Sequence, residues 1–403
     1  MTTYRQDIDG LRALAVLPVL FFHAGFEFFK GGYIGVDIFF VISGFLITSI
    51  ILKESKAETF SLSSFYERRA RRILPALFFV MLICLPFSWF WLTPSDLESF
   101  GGSLISTSTF WSNIFFWKES GYFGVISELK PLLHTWSLAV EEQYYVLFPL
   151  FMIFSWRFGI KFITLFLIVV FLISLSLAEY GSHKYPEASF YLLPTRGWEL
   201  LIGVFLAIYL EEKAQIESLY INQSLSILGI CMIIGSILIF NDSTPFPGLY
   251  ALLPTLATAF LILCSVPGTI VHKMLCNKIL VTTGLMSYSI YLWHQPILSF
   301  ARHRSVDHLS DLESISLLLL SILMGYVSWK WIERPFRNRK VTSRGFIFTF
   351  SILGMILLSL IGNNFIKAKG YPERVNFSKE LTKSFERPRF DQCFDFSFDA
   401  LTL

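Results

Sequence analysis

Charge is scarce in this chain. Only 16% of its 403 residues are Asp, Glu, Lys or Arg, against roughly 25% in soluble domains. The formal net charge is +3, so bulk charge gives no support for a nucleic-acid partner. Cysteine is sparse as well. Cys84, Cys231, Cys264, Cys276 and Cys393 form no Cys-x-x-Cys pair, and three of them lie inside apolar runs. Neither a disulfide framework nor a zinc site is indicated, and no metal is expected. No internal repeat or low-complexity segment stands out, which leaves an inverted-repeat transporter without visible support. The first apolar run lacks the small-residue exit of a cleavable signal peptide and further spans follow it, so it reads as a retained helix.

What fills the chain instead is apolar. Hydrophobic residues make up 54%, mean hydropathy is +0.58, and there are 43 phenylalanines, a density that suits lipid-facing surfaces and interfacial belts. Windows long enough to cross about 30 Å of hydrocarbon predict helices near 11–28, 34–52, 73–92, 141–156, 160–178, 197–210, 223–240, 249–266, 283–300, 314–332 and 345–363. The expected fold is all-α, a polytopic membrane bundle of about ten core transmembrane helices plus an eleventh. The spans at 141–156 and 197–210 are short and read as tilted or partly non-spanning. The apolar run Leu104–Trp117, inside the connection 93–140, reads as interfacial or re-entrant. With the N-terminus inside, inner segments hold eighteen lysines and arginines against seven in the outer loops. That bias orients the chain with a cytoplasmic N-terminus and, after eleven spans, an outer tail from about 364.

Ionisable groups at membrane depth are costly and are functional candidates by default. Arg12 and His23 are eleven residues apart, which on a helix is about 16.5 Å of rise on one face. His23 is either a packed histidine or a base for an incoming hydroxyl, since imidazole titrates near 6.5. Asp37, in the Gly35-Val36-Asp37 stretch, is either a helix cap or part of a site. Ser43-Gly44 reads as a small-residue packing face, with Ser43 packing rather than acting as nucleophile because no base adjoins it. Arg68, Arg69, Arg71 and Arg72 exceed what orientation requires; Arg69 and Arg72 share a face and can fork onto phosphates. His134, Trp136, Glu141 and Glu142 open the fourth span, where the adjacent carboxylates either favour the helix dipole or bind an acceptor. Arg196 and Glu199 lie at a membrane edge. Tyr288, Tyr291, Trp293 and His294 suit sugar stacking or an interfacial belt. Glu333 reads as an ion-pair partner for nearby arginines.

Together these motifs resemble the membrane acyltransferase-3 family, bacterial O-acetyltransferases of lipopolysaccharide O-antigen, peptidoglycan and other exported glycans. The carriers, over roughly residues 4–340, are Asp9-Gly10-Leu11-Arg12-Ala13 with His23, and Gly35-Val36-Asp37 through Ser43-Gly44-Phe45. With them come Arg69-Ala70-Arg71-Arg72-Ile73-Leu74-Pro75, the His134–Gln143 block, Tyr291-Leu292-Trp293-His294 and Trp331-Ile332-Glu333-Arg334-Pro335. The resemblance implies acetyl-CoA as donor and an envelope or lipid-linked glycan as acceptor, in a bacterial inner membrane. It implies that Arg12, His23 and Glu333 are catalytic and that Arg69 and Arg72, flanked by Arg68 and Arg71, hold the cofactor. It divides the chain into an acyltransferase domain (1–340), an added helix (341–363) and an outer tail (364–403). Larger members continue into an SGNH-type domain. Gln392-Cys393-Phe394 reads as the threshold of that domain, here missing or supplied by a separate partner. The competing readings are a glycan or lipid transporter without acyl chemistry, and a binding or assembly protein that has lost catalysis.

Overall fold

The computed structural model describes residues 4–120, 127–213, 216–305 and 309–374; the predicted threshold at Gln392–Phe394 lies outside them. Short polar signals set the helix starts. Thr93 caps the helix that opens with Pro94, Asn277 and Ser343 cap two others, and Ser310 and Glu313 form a reciprocal capping box, each satisfying backbone N–H groups that the first turn leaves free. In chain order the helices are α1 (Gln6–His23), α2 (Gly35–Lys56), α3 (Leu62–Trp91), α4 (Pro94–Ser108), α5 (Ser112–Glu119) and α6 (Thr135–Ser155). They continue with α7 (Ile160–Lys184), α8 (Pro186–Tyr191), α9 (Leu193–Glu212), α10 (Leu219–Ile239) and α11 (Leu252–Cys264). The last five are α12 (Ile270–Leu275), α13 (Lys278–Arg304), α14 (Asp311–Ser328), α15 (Arg334–Arg337) and α16 (Arg344–Lys367). A π-helical turn, Trp329–Glu333, joins α14 to α15. The described residues contain no strand, so the all-α expectation holds.

Each predicted span meets a helix, but the count of eleven membrane crossings is not established. Among the described residues, seven helices (α2, α3, α7, α9, α10, α14 and α16) are long and apolar enough to cross a membrane by length and composition. This makes the chain a multi-pass membrane protein. The spans read as short are not short: α6 has 21 residues and α9 has 20. The run Leu104–Trp117 is divided between α4 and α5, with Phe110 in the left-handed region at φ 59° where the chain turns.

The layers follow from burial. In the apolar window of α2, 72% is buried inside the protein, against 17% for α7 and 22% for α14 and α16. Thus α2 lies deep in the bundle and the other three form its rim. Lipid tails give apolar helices no reason to prefer each other, so close association rests on shape, and small residues let backbones meet. Between α2 and α9, a Cβ at Gly44 would stand 2.0 Å from the Leu200 carbonyl oxygen, and one at Gly203 would stand 2.1 Å from that of Val41. The pair α4 and α16 repeats the device through Gly101 and Gly362. Gly235 of α10 instead faces open space. Gly203→Ala should therefore lower stability by about 1–3 kcal/mol through overpacking. Gly235→Ala should raise it by about 0.5–1 kcal/mol through helix propensity alone. Thermal unfolding of the two purified variants tests this; a shift of the same sign in both would contradict the packing described.

Candidate active site

Five helices, α1, α2, α3, α6 and α13, enclose a cavity with about 810 Å³ of empty space, counting its open mouth. Arg12 of α1 and Arg69 and Arg72 of α3 line it, and Glu141 of α6 is the lining carboxylate. The formal charge of that lining is thus strongly positive, and Arg69 Nε is buried with no hydrogen-bond partner. Arg12 reaches Asp9 at 3.3 Å, one turn back on its own helix. Ser43 donates to Glu141 Oε1 at 2.8 Å and Tyr145 donates to Oε2 at 3.3 Å. Tyr288 completes one wall, its hydroxyl donating to the Ile73 carbonyl at 2.8 Å.

The remaining arginines of that motif turn elsewhere. Arg68 pairs with Glu54 at 3.0 Å. Arg71 is buried, donates to Glu67 at 2.9 Å, and binds the Phe336 carbonyl and both oxygens of Thr342. The i, i+3 pair therefore faces the cavity, while Arg68 ties α3 to α2 and Arg71 ties it to the chain around α15.

His23 is the last residue of α1 and lies beyond the cavity lining. Its ring stands 5.0 Å from that of His294, which stands 5.3 Å from His134. Tyr291 joins the two regions. It lines the cavity, its ring is 5.2 Å from His134 and 5.1 Å from His294, and its hydroxyl bonds Ser137 and the His134 carbonyl, each at 2.8 Å. A carbonyl can only accept, so the ring nitrogen beside it carries the proton. His23 Nδ1 is 2.9 Å from the Val19 carbonyl, and His294 Nδ1 bonds that of Tyr291. In the neutral rings, both Nε2 atoms then carry lone pairs. His294 Nε2 and both nitrogens of His134 are buried without a protein partner. No carboxylate pairs with any of the three rings among the described residues, and Arg302 donates to the His23 carbonyl. These unpartnered nitrogens are suited to a ligand that donates hydrogen bonds. Among the described residues, no group of three or more His, Cys, Asp or Glu could hold a metal.

Other predicted residues sit apart. Asp37 is fully buried at 3.1 Å from Arg196, whose other nitrogen is 3.2 Å from Glu199. The guanidinium is flanked by Phe40, Trp136, Phe190 and Phe246, at 5.2–5.7 Å from each ring centre, so Trp136 belongs to this cluster. Glu142 is buried with Oε1 unpartnered. Because α6 begins at Thr135, Glu141 and Glu142 lie in its second turn, too far in for the dipole reading. Glu333 accepts from Ser289 at 2.9 Å and pairs with Arg337 at 3.3 Å; it supports α13 rather than lining the cavity. Ser43 is where sequence reasoning fell short: Gly44 does the packing, while Ser43 meets a carboxylate 98 positions away. Arg302 and Tyr145 were also missed, and neither has a local motif that singles it out.

Part of the buried charge of this bundle thus meets at one cavity, with a cluster of three histidines beyond it. Residues 5–361 match the family described as acyltransferase domain, and the chain belongs to it. It is 33% identical over 376 residues to the O-acetyltransferase OatA of Staphylococcus aureus strain NCTC 8325, covering 88% of this chain and 62% of that protein. The same identity and coverage hold for OatA of strain MRSA252. A third relative, of strain MSSA476 and named "Putative O-acetyltransferase", is 33% identical over 84% of this chain and 58% of its own length. The chain thus spans about three fifths of the length of these relatives. No solved structure matches it significantly.

The Asp37–Arg196–Glu199 cluster sets two carboxylates against one guanidinium. Arg196→Leu leaves both acids buried and unmatched and should cost about 3–5 kcal/mol. Asp37→Asn leaves a one-to-one pair and should cost under about half of that. Chemical or thermal unfolding of the two variants tests the count, and equal losses would refute it.

Proposed function

We propose that the chain is a membrane O-acetyltransferase that moves an acetyl group from acetyl-CoA to a hydroxyl of an extracytoplasmic or lipid-linked glycan, such as O-antigen or another envelope polysaccharide. The observation that carries this reading is the placement of α1. Its Arg12 end enters an arginine-lined cavity and its His23 end meets a cluster of unpartnered imidazole nitrogens, about 16.5 Å along one helix face. Guanidinium groups match phosphate oxygens in geometry and charge, so Arg69 and Arg72 would hold the phosphates of the donor while its pantetheine arm runs inward. The family match and the names of the relatives support acyl chemistry over transport. The lysine and arginine bias supports a donor site on the cytoplasmic face of a bacterial inner membrane, with the histidine cluster toward the outer face.

In this mechanism His23 Nε2 accepts the proton of the acceptor hydroxyl as its oxygen forms a bond to the thioester carbonyl carbon. The carbon–sulfur bond breaks, and coenzyme A leaves as the thiol when the proton is returned to sulfur. The alternative order places the acetyl on His23 Nε2 first and passes it to the hydroxyl afterwards. Arg12 orients the donor or offsets negative charge developing on the carbonyl oxygen. His134, His294 and Tyr291 hold the acceptor, and Glu333 keeps α13 in place. Where a separate SGNH-type partner is present, the acetyl would pass to it in place of a glycan held in this bundle.

Transfer of labelled acetyl from acetyl-CoA to envelope glycan in inverted membrane vesicles tests this reading. His23→Ala should lower transfer by about 100-fold or more. Arg72→Gln should raise the KM for acetyl-CoA about tenfold with a smaller effect on kcat, as expected for loss of a charged hydrogen bond. Wild-type protein that is folded yet turns over no acetyl-CoA would favour the transporter reading.

A further inference from the structure

We propose that the crevice between α3 and α16 is a binding site for one anionic phospholipid. Its headgroup rests on the basic segment 337–344 and one acyl chain lies in the groove below. The groove offers about 720 Å³ of empty space and is lined by Phe78 and Leu82 of α3 and by Phe346, Phe350, Leu353 and Leu357 of α16 among others. Thr349 supplies its polar side chain. Along α16, the lining runs from two to fourteen residues past Arg344, roughly 3 to 21 Å at 1.5 Å per residue. On α3, Phe78 and Leu82 lie eleven and fifteen residues past Glu67, roughly 16 and 22 Å. One leaflet of hydrocarbon is about 15 Å deep, so the groove has the depth of a single acyl chain.

Charge at its upper end chooses the headgroup. The segment Arg337-Asn338-Arg339-Lys340-Val341-Thr342-Ser343-Arg344 holds four cations and no acid. Arg337 pairs with Glu333, and Glu67 is the carboxylate that Arg339 and Arg344 meet and share with Arg71. Arg71 is 2.9 Å from Glu67, Arg339 3.4 Å and Arg344 3.9 Å. Three guanidiniums on one carboxylate leave two formal positive charges, and Lys340 beside them is exposed. Arg339 and Arg344 side chains remain 57% and 47% accessible, free to turn toward a phosphodiester. Simple orientation anchoring accounts for positive charge near a membrane face, but not for its position at the head of a leaflet-deep apolar groove. A zwitterionic headgroup would leave the surplus unmatched; an anionic one matches it. On α3 the bound lipid would touch Phe78 and Leu82, six and ten residues past Arg72 of the cavity. This inference is independent of acyl transfer.

The test uses the full chain in bilayer nanodiscs containing equal phosphatidylglycerol and phosphatidylcholine, with native mass spectrometry of the lipid that stays bound. The expected result is one phosphatidylglycerol retained with about thirtyfold preference, from two surplus charges at about 1 kcal/mol each near an anionic surface. The double variant Arg339→Gln with Arg344→Gln should erase the preference. Its Glu67 still pairs with Arg71, so folding is retained and is checked by thermal unfolding. Leu353→Trp, which fills the exposed side of the groove, should reduce retention of both lipids. Equal retention of the two lipids by wild type overturns the proposal, as does a preference unchanged in the double variant. Displacement of the lipid by inorganic phosphate at millimolar concentration would assign the cations to a free anion instead, which also overturns it.

Discussion

A charged side chain inside a helical bundle has no water to return to, and this constraint organises the molecule. Burial of an ion is tolerable when another ion, a ring of dipoles or a hydrated cavity receives it. Three solutions appear here. Asp37, Arg196 and Glu199 close on one another within a cage of aromatic faces. Arg71 and Glu67 form a pair that also gathers the chain around Phe336 and Thr342. Arg12, Arg69, Arg72 and Glu141 instead surround open space. The first two arrangements spend their charges on holding helices together. The third leaves charge available.

The same constraint explains why three of the five helices nearest the chemistry are poor in lipid-like sequence. Of the predicted spans, α1, α6, α11 and α13 are absent from those that pass on length and hydropathy. Three of these carry the cavity and the histidines. Asp7, Asp9 and Arg12 dilute α1, Glu141, Glu142 and Gln143 dilute α6, and His294, Gln295 and Arg302 dilute α13. Their polar groups turn inward, and the outer ring of apolar helices such as α7, α14 and α16 faces lipid on their behalf. A hydropathy profile therefore passes over α1, α6 and α13, while α2 and α3, which line the same cavity, are legible in it.

Legibility in the sequence followed the same division between local and distant. The helices could be read because a membrane span is a local property of about twenty residues. Arg12 and His23 could be placed on one face because both belong to one helix, and Arg69 with Arg72 for the same reason. The meeting of His23, His134 and His294 brings together residues from α1, the start of α6 and α13, and no spacing rule links them. Asp37 finds Arg196 across 159 positions, and Ser43 finds Glu141 across 98. The predicted span opened at 141, whereas α6 begins at Thr135 and its opening stretch, Thr135–Val140, is buried by its neighbours. Tertiary packing overrode the local signal.

The four arginines of α3 have a mechanical corollary. Successive residues on a helix are 100° apart, so Arg68 with Arg71 and Arg69 with Arg72 form two stripes about a quarter turn from each other. Arg71, bolted to Glu67 and to the backbone around Phe336 and Thr342, fixes the azimuth of the whole helix about its own axis. The second stripe inherits that angle. A segment that touches none of the cavity thus acts as the index pin of its aim, and the axial phase of one helix sets how squarely two guanidiniums confront whatever enters.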